Sequence, residues 1–444
     1  GNGTIGANAL SRTLNERIIF THERLFLPMG APVMPRDQSA RLFEIRRLIE
    51  RGLYRQATEL QFNLSGQSSF RYPDFFVPAF DLTIRSTNQG ELRAYSRSVD
   101  FQTGETAVRC SDDRGGFERR MFVSRADGVA VVSITGPKPG SLDCQLALEP
   151  REPSAQYNDD SDIAKRSDQM FKEHVADIKS SASSSSLTYS NRYLKAYPGS
   201  IHALEGFARV IATGGTAEAQ PNGTLLVKGA DRILIFVDLR PIYDPDKPEM
   251  KGMEAALAKL PDDYPQLLQR HAKLHGELFN RMRLDLGGGA DHRRTTEELL
   301  AESTYEKPNR ALIEKEFDAG RHNIISCTGE LPPNLQGVWG GTYVPGWASD
   351  YTHNGNVPSA IAANLMGNMP ELMLAYTTYI ESLVPWLEIN AKHLFGARGI
   401  VLPSRSSTHG FNNALAPDFA GGFWVAGAGW AAHFFYDYYL YTGD

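Results

Sequence analysis

Arg232-Ile-Leu-Ile-Phe-Val-Asp238 decides the fold class of the first half of the chain. Five apolar residues, three of them β-branched, sit between two charges and read as a short strand. Val129-Ala-Val-Val-Ser-Ile-Thr135 has the same character. Phe117–Ser124, Thr224–Val227 and Phe80–Ile84 add further strands, separated by turn clusters such as Asp112-Asp-Arg-Gly-Gly116 and Gln220-Pro-Asn-Gly223. Many short strands with regular turn signals predict an antiparallel β-sandwich and not a parallel sheet, here over residues 1–245. One helix, Gln38 to Arg55, interrupts the pattern, with Leu42, Ile45, Leu48 and Ile49 on one stripe. The tract Ser180-Ser-Ala-Ser-Ser-Ser-Ser186 reads as a long flexible loop between strands.

Outward from this half, the period changes near residue 250. Met253–Leu260 and Tyr264–Met282 have helical spacing and form a linker over 246–294. From 295 to 444 the pattern stays helical. Pro308 opens a helix that runs to Ala319 with Gly320 as its stop, Pro370 starts another, and Gly422–Tyr441 forms an aromatic-rich third. Long loops over 327–356 and 399–423 join them, and loops of that length in a compact domain are usually functional.

Composition narrows the function. The 444 residues carry 46 Lys+Arg against 52 Asp+Glu, a net charge of −6, with 41% apolar residues. This is a globular composition in two or three domains, and the mixed charge offers no concentrated basic face for nucleic acid. No apolar run approaches the roughly 20 residues of a membrane span. Three cysteines fit neither a disulfide framework nor a zinc site, although an oxidising compartment would let Cys110 and Cys144 pair. No cofactor or metal motif occurs, and no nucleophile elbow, phosphate loop or dinucleotide fingerprint.

The chemistry concentrates in Glu330–Asn356. Trp339, Trp347, Tyr351, His353, Asn354 and Asn356 supply flat apolar rings beside planar hydrogen-bonding groups, the combination that a sugar's C–H faces and hydroxyls require. Trp339 and Trp347 are equally compatible with core packing, and Asn354 or Asn356 with capping the following helix. Hydrolysis of a glycosidic bond needs a carboxylic acid at the leaving oxygen. Asp437, enclosed by rings in Trp430-Ala-Ala-His-Phe-Phe-Tyr-Asp-Tyr-Tyr439, is the leading candidate; facing inward, desolvation would raise its pKa. A partly exposed aspartate on an amphipathic helix is the competing reading.

Several runs resemble glycoside hydrolase family 95, the inverting α-L-fucosidases and α-L-galactosidases. Gly1-Asn-Gly-Thr-Ile-Gly-Ala7, Arg283-Leu-Asp-Leu-Gly287, Leu331-Pro-Pro-Asn-Leu-Gln-Gly-Val-Trp339, Gly396-Ala-Arg-Gly399 and Tyr439-Leu-Tyr-Thr-Gly-Asp444 carry the likeness. The resemblance implies a β-sandwich, a helical linker and an (α/α)6-type barrel. About 150 residues follow Thr295, room for roughly the first half of twelve helices. It further implies that Asn354 and Asn356 position the attacking water and that Asp437 stands where the family has its acid, a glutamate. The family's general base lies beyond Asp444. Val357-Pro-Ser-Ala360 and Pro403-Ser-Arg-Ser-Ser407 depart from the family's pocket motifs, so Arg405, His409 and His353 become replacement contacts, with Trp424 and Trp430 as further sugar walls. The reading is an inverting glycoside hydrolase for an α-linked L-fucose or L-galactose-like sugar of an oligosaccharide or polysaccharide, needing no cofactor and placed in a secreted or periplasmic setting. Its rivals are a catalytically degenerate glycan-binding protein and a relative that cuts a different sugar.

Overall fold

The computed structural model describes residues 1–86, 90–155 and 161–444. Two antiparallel sheets come first. One has six strands in the spatial order Ile5–Ala9, Asn15–His22, Phe80–Ser86, Leu142–Glu149, Leu225–Ala230 and Thr216–Ala219. The other has eight, ordered Val175–Ala182, Ser186–Tyr193, Ala203–Thr213, Arg232–Ile242, Ala130–Thr135, Gly115–Val123, Glu105–Asp112 and Ala94–Asp100. The 232–242 strand pairs along its whole length with 203–213, Val237 opposite Ala208. Its continuous apolar run has a physical cause. Ile233, Ile235, Val237 and Leu239 enter the core between the sheets, while Leu234 and Phe236 turn outward onto Met253, Leu257, Tyr264 and Leu267. The strand is therefore buried on both faces, by the opposite sheet and by α4 (Met250–Leu257) and α5 (Tyr264–Phe279). Each such side chain contributes roughly 1.5–3 kcal/mol.

Three local readings are corrected. The Gln38–Arg55 helix is two helices, α1 (Leu42–Glu50) and α2 (Tyr54–Ser65), because Gly52 at φ +72 closes the first. The serine tract is a tight hairpin: strands 175–182 and 186–193 run through it, and Ser183 N–H donates to Ser186 O at 2.8 Å. Gly320 does not stop a helix. α7 spans Arg310–Cys327, carried through by the next residue, Arg321, whose buried guanidinium donates to Leu278 O, Phe279 O and Gly367 O. That tertiary anchorage outweighs the cost of about 1 kcal/mol for an interior glycine.

The remaining helices are α3 (Asp162–His174) beside the sandwich, α6 (Thr296–Glu302), α8 (Asn356–Ile361), α9 (Ala363–Met366), α10 (Pro370–Phe395) and α11 (Gly427–Thr442). α11 begins later than Gly422 because Trp424 is non-helical at ψ 76. Tyr376, Ile380, Leu383, Leu387, Ala431 and Phe434 pack α10 against α11. Phe26 and Phe76 of the sandwich enter the same cluster, Phe26 meeting the Tyr351 ring at 5.6 Å. The two halves thus share a core. The seam is closed by Thr21, whose hydroxyl donates to Val338 O, and by Arg125, whose guanidinium donates to Ile325 O. Beside Arg125 lie three neutral imidazoles, His271, His275 and His322, which burial holds down to about 3, 3 and 4. Cys110, Cys144 and Cys327 are all free thiols; the first two stand on different sheets.

Candidate active site

The two long loops meet. Tyr351–Thr352 pairs antiparallel with Arg405–Ser406, Tyr351 opposite Ser406. This small ribbon is pinned from below by α10: the Tyr379 ring packs tilted against Tyr351 with centroids 4.4 Å apart, its hydroxyl bonds Ser406 Oγ at 2.7 Å and donates to Ser407 O at 2.8 Å. His353 is buried, its N–H donating to Ser404 O and its Nε2 meeting Ser406 Oγ at 2.7 Å. Burial lowers His353 to about 3, so it is a neutral imidazole.

Arg405 locks the ribbon to the preceding turn. It donates to Asp350 Oδ2 at 2.6 Å and to Trp347 O at 2.6 Å. Both members of the pair are buried, and burial pushes Asp350 up to about 6. The carbonyl that Arg405 holds belongs to an unusual run. Trp347, Ala348 and Ser349 all occupy the left-handed region at φ 51, 58 and 49. Such a run of L residues costs roughly 1–2 kcal/mol per residue and persists only where the surroundings impose it. Asn334 completes the brace: its Oδ1 accepts from Ser349 Oγ at 2.9 Å, while Leu335 N–H donates to Asp350 O. The Asn-Leu-Gln-Gly signature therefore supports this turn. The outcome is that Trp347 stands 72% exposed.

The other candidates fall into three places. Asn354 and Asn356 follow the ribbon directly, both exposed. Gly355, not either asparagine, is the N-cap of α8, and no side chain caps it. The capping alternative is removed, and among the described residues neither amide has a side-chain partner. Trp424 and Trp430 lie at 6.2 Å from each other at the start of α11, Trp430 half exposed. On the same helix Asp437 is half-buried, its Oδ2 at 3.0 Å from His433 Nε2. Trp339 is separate. It sits in the seam beside Gly337, where φ +72 and the indole at 3.0 Å from a would-be Cβ demand glycine. His409 lies across the ribbon in a cleft of about 490 Å³ between the 405–414 loop and the sandwich. Burial lowers it to about 4, and its Nδ1 accepts from Phe411 N–H at 3.2 Å.

One buried carboxyl of this cleft has no signature in the sequence. Asp74, from the sandwich, accepts Thr408 Oγ1 at 2.6 Å, Tyr197 Oη at 3.2 Å and Met29 N–H at 3.1 Å, and burial raises it to about 6. Only its setting between Phe70-Arg-Tyr-Pro and Phe75-Phe76 offered any hint.

Fold and loop site together define the class of proteins in which an antiparallel sandwich packs against helices of an (α/α)6-type barrel. Residues 1–246 match the glycosyl hydrolase family 65 N-terminal domain, and residues 263–444 match the glycosyl hydrolase family 95 catalytic domain. The chain belongs to the family of the former domain over more than half its length and is family 95-like over its helical part. "Alpha-L-fucosidase 2" of Arabidopsis thaliana is 24% identical, with 100% of this chain and 54% of that protein covered. "Probable alpha-fucosidase A" of Aspergillus niger is 32% identical over 45% of this chain and 26% of its own length. A solved structure from the human microbiome, named for a kojibiose phosphorylase, superposes with a TM-score of 0.56 at 10% identity, over 100% of this chain and 53% of that one. The chain thus spans about half the length of relatives that match it throughout. Among the described residues no helix is long and apolar enough to cross a membrane.

Proposed function

We propose that this chain carries part of an inverting glycoside hydrolase for an α-linked L-fucose or L-galactose-like sugar. The observation that carries the reading is the free pair Asn354 and Asn356, presented on a turn that the buried Asp350–Arg405 ribbon fixes and that neither amide is spent on capping. In this reading the two amides orient water, and Asp437 protonates the leaving oxygen with His433 as its neighbour. Trp347 offers a sugar wall outside the turn, with Trp424 and Trp430 lining the α11 side. The domains divide as 1–245, 246–294 and 295–444, and a glycan substrate suits a secreted or periplasmic setting. Fucosidase names among the relatives support the sugar class. The test compares Asp437→Asn with the parent on α-L-fucosides with good and poor leaving groups. Loss confined to the poor leaving groups supports an acid role; equal rates on both refute it. Glycan binding without sugar release by the parent would favour the degenerate binding protein instead.

A further inference from the structure

The cleft beside the ribbon is basic although the chain is net acidic at −6. Arg71, Arg166 and Arg405 line it, and the one carboxyl that lines it among the described residues, Asp74, is buried and occupied by three donors. Arg405 is committed to Asp350 and Trp347 O. Arg71 and Arg166 differ: both are exposed, and among the described residues neither makes an ion pair or a hydrogen bond. They approach from separate elements, Arg71 from the segment after α2 and Arg166 from α3. A second hollow shares Val33, Arg71 and Asn413 with the cleft and adds Arg36, extending the row of cations. The cleft has an aromatic wall: Phe70 and Tyr72 stand edge to face at 4.8 Å, with the Arg405 guanidinium over Tyr72 at 5.3 Å. His409 faces the same space; with Nδ1 accepting from Phe411, its Nε2 carries the proton and donates.

We propose that this groove is an anion subsite: it holds a carboxylate or sulfate ester on a sugar unit adjacent to the one placed at the ribbon, so that the substrate is an acidic glycan. Two guanidiniums that line one cleft from different elements, without an ion pair among the described residues, offer the paired donors that either anion takes, and the rings beside them give a sugar face something to lie on. Arg405 joins the two regions, since its backbone forms the ribbon and its side chain closes the groove. The glycan identity rests on the function proposed above; the anion preference does not.

The experiment titrates the protein calorimetrically with three matched probes: trigalacturonate, neutral galactotriose and galactotriose 6-sulfate. At least one acidic probe is expected to bind at least about tenfold tighter than the neutral one, with the advantage shrinking at high salt. Tight binding of trigalacturonate or of the sulfate ester identifies the anion. Arg71→Ala with Arg166→Ala removes the preference and leaves neutral binding unchanged, because both side chains lie on the surface away from the shared core. Asp437→Asn keeps the preference. Equal binding of all three probes, or a preference that survives the double substitution, overturns the proposal. Anion preference in a protein of full encoded length that releases no sugar from an α-L-fucoside refutes the hydrolase reading alone, whereas fucoside cleavage with no anion preference refutes the groove alone.

Discussion

Breaking the Asp350–Arg405 pair tests whether the ribbon is held as described. Asp350→Asn leaves a buried guanidinium that cannot lose its charge, and removing one partner of a buried pair costs about 3–5 kcal/mol. Arg405→Met should cost less. Asp350, already pushed up to about 6, escapes by taking a proton, and the loss should shrink between pH 7 and pH 5. Arg405→Met also removes the donor to Trp347 O, so in that variant the left-handed run at 347–349 can relax. In the double variant no buried charge remains. Its destabilisation should therefore fall short of the sum by at least about 2 kcal/mol. Urea unfolding followed by near-ultraviolet circular dichroism at pH 7 and pH 5 measures all three. Additivity within about 0.5 kcal/mol, or a loss below about 1 kcal/mol for Asp350→Asn, would refute the reasoning.

Trp347→Ala should lower glycan affinity by about tenfold while leaving the unfolding free energy from urea titration within about 0.5 kcal/mol, because the indole is largely solvent-exposed; a large stability loss would show it to be core. Gly337→Ala forces φ +72 and a clash with the Trp339 ring at 3.0 Å, so a destabilisation above about 1 kcal/mol is expected and an unchanged melting temperature would contradict the seam geometry. The neutral histidines at the seam make stability pH-dependent. Their folded values of about 3 to 4 lie below the ordinary 6.5, so their contribution is complete above pH 6.5 and lost as pH falls toward 4. Each contributes a slope of up to about 1.4 kcal/mol per pH unit in that window. Asp74 and Asp350, raised to about 6, act in the opposite sense as they take up protons. The clean comparison is therefore His275→Asn against the parent, and the variant's stability should fall less steeply from pH 6.5 to 4.5. An identical slope would remove His275 from the account.

The sandwich was legible because its strands carry β-branched runs between turn residues, as in 232–238. The serine tract misled because composition outweighed alternation: Leu187 and Tyr189 point into the core, while Thr188 between them and the serines before them are not buried. Gly320 misled for a tertiary reason, Arg321 across from the end of α5. Around the site, aromatic and amide content marked the two loops, but nothing local announced their pairing. Asp350 and Arg405 are 55 residues apart, and each looks like a surface charge in isolation. Trp339 and Trp347 were likewise indistinguishable until the Asn334 brace set one in the seam and the other in solvent. Asp74 entered the cleft from the other domain altogether, beyond the reach of any spacing rule.

The most direct measurement is proton NMR of the sugar first released from an α-L-fucoside by a protein carrying this chain in its full encoded length. Inversion through water held by Asn354 and Asn356 predicts the β-anomer first, mutarotating later, with release abolished for poor leaving groups in Asp437→Asn. Initial release of the α-anomer, or undiminished release by that variant, would contradict the account.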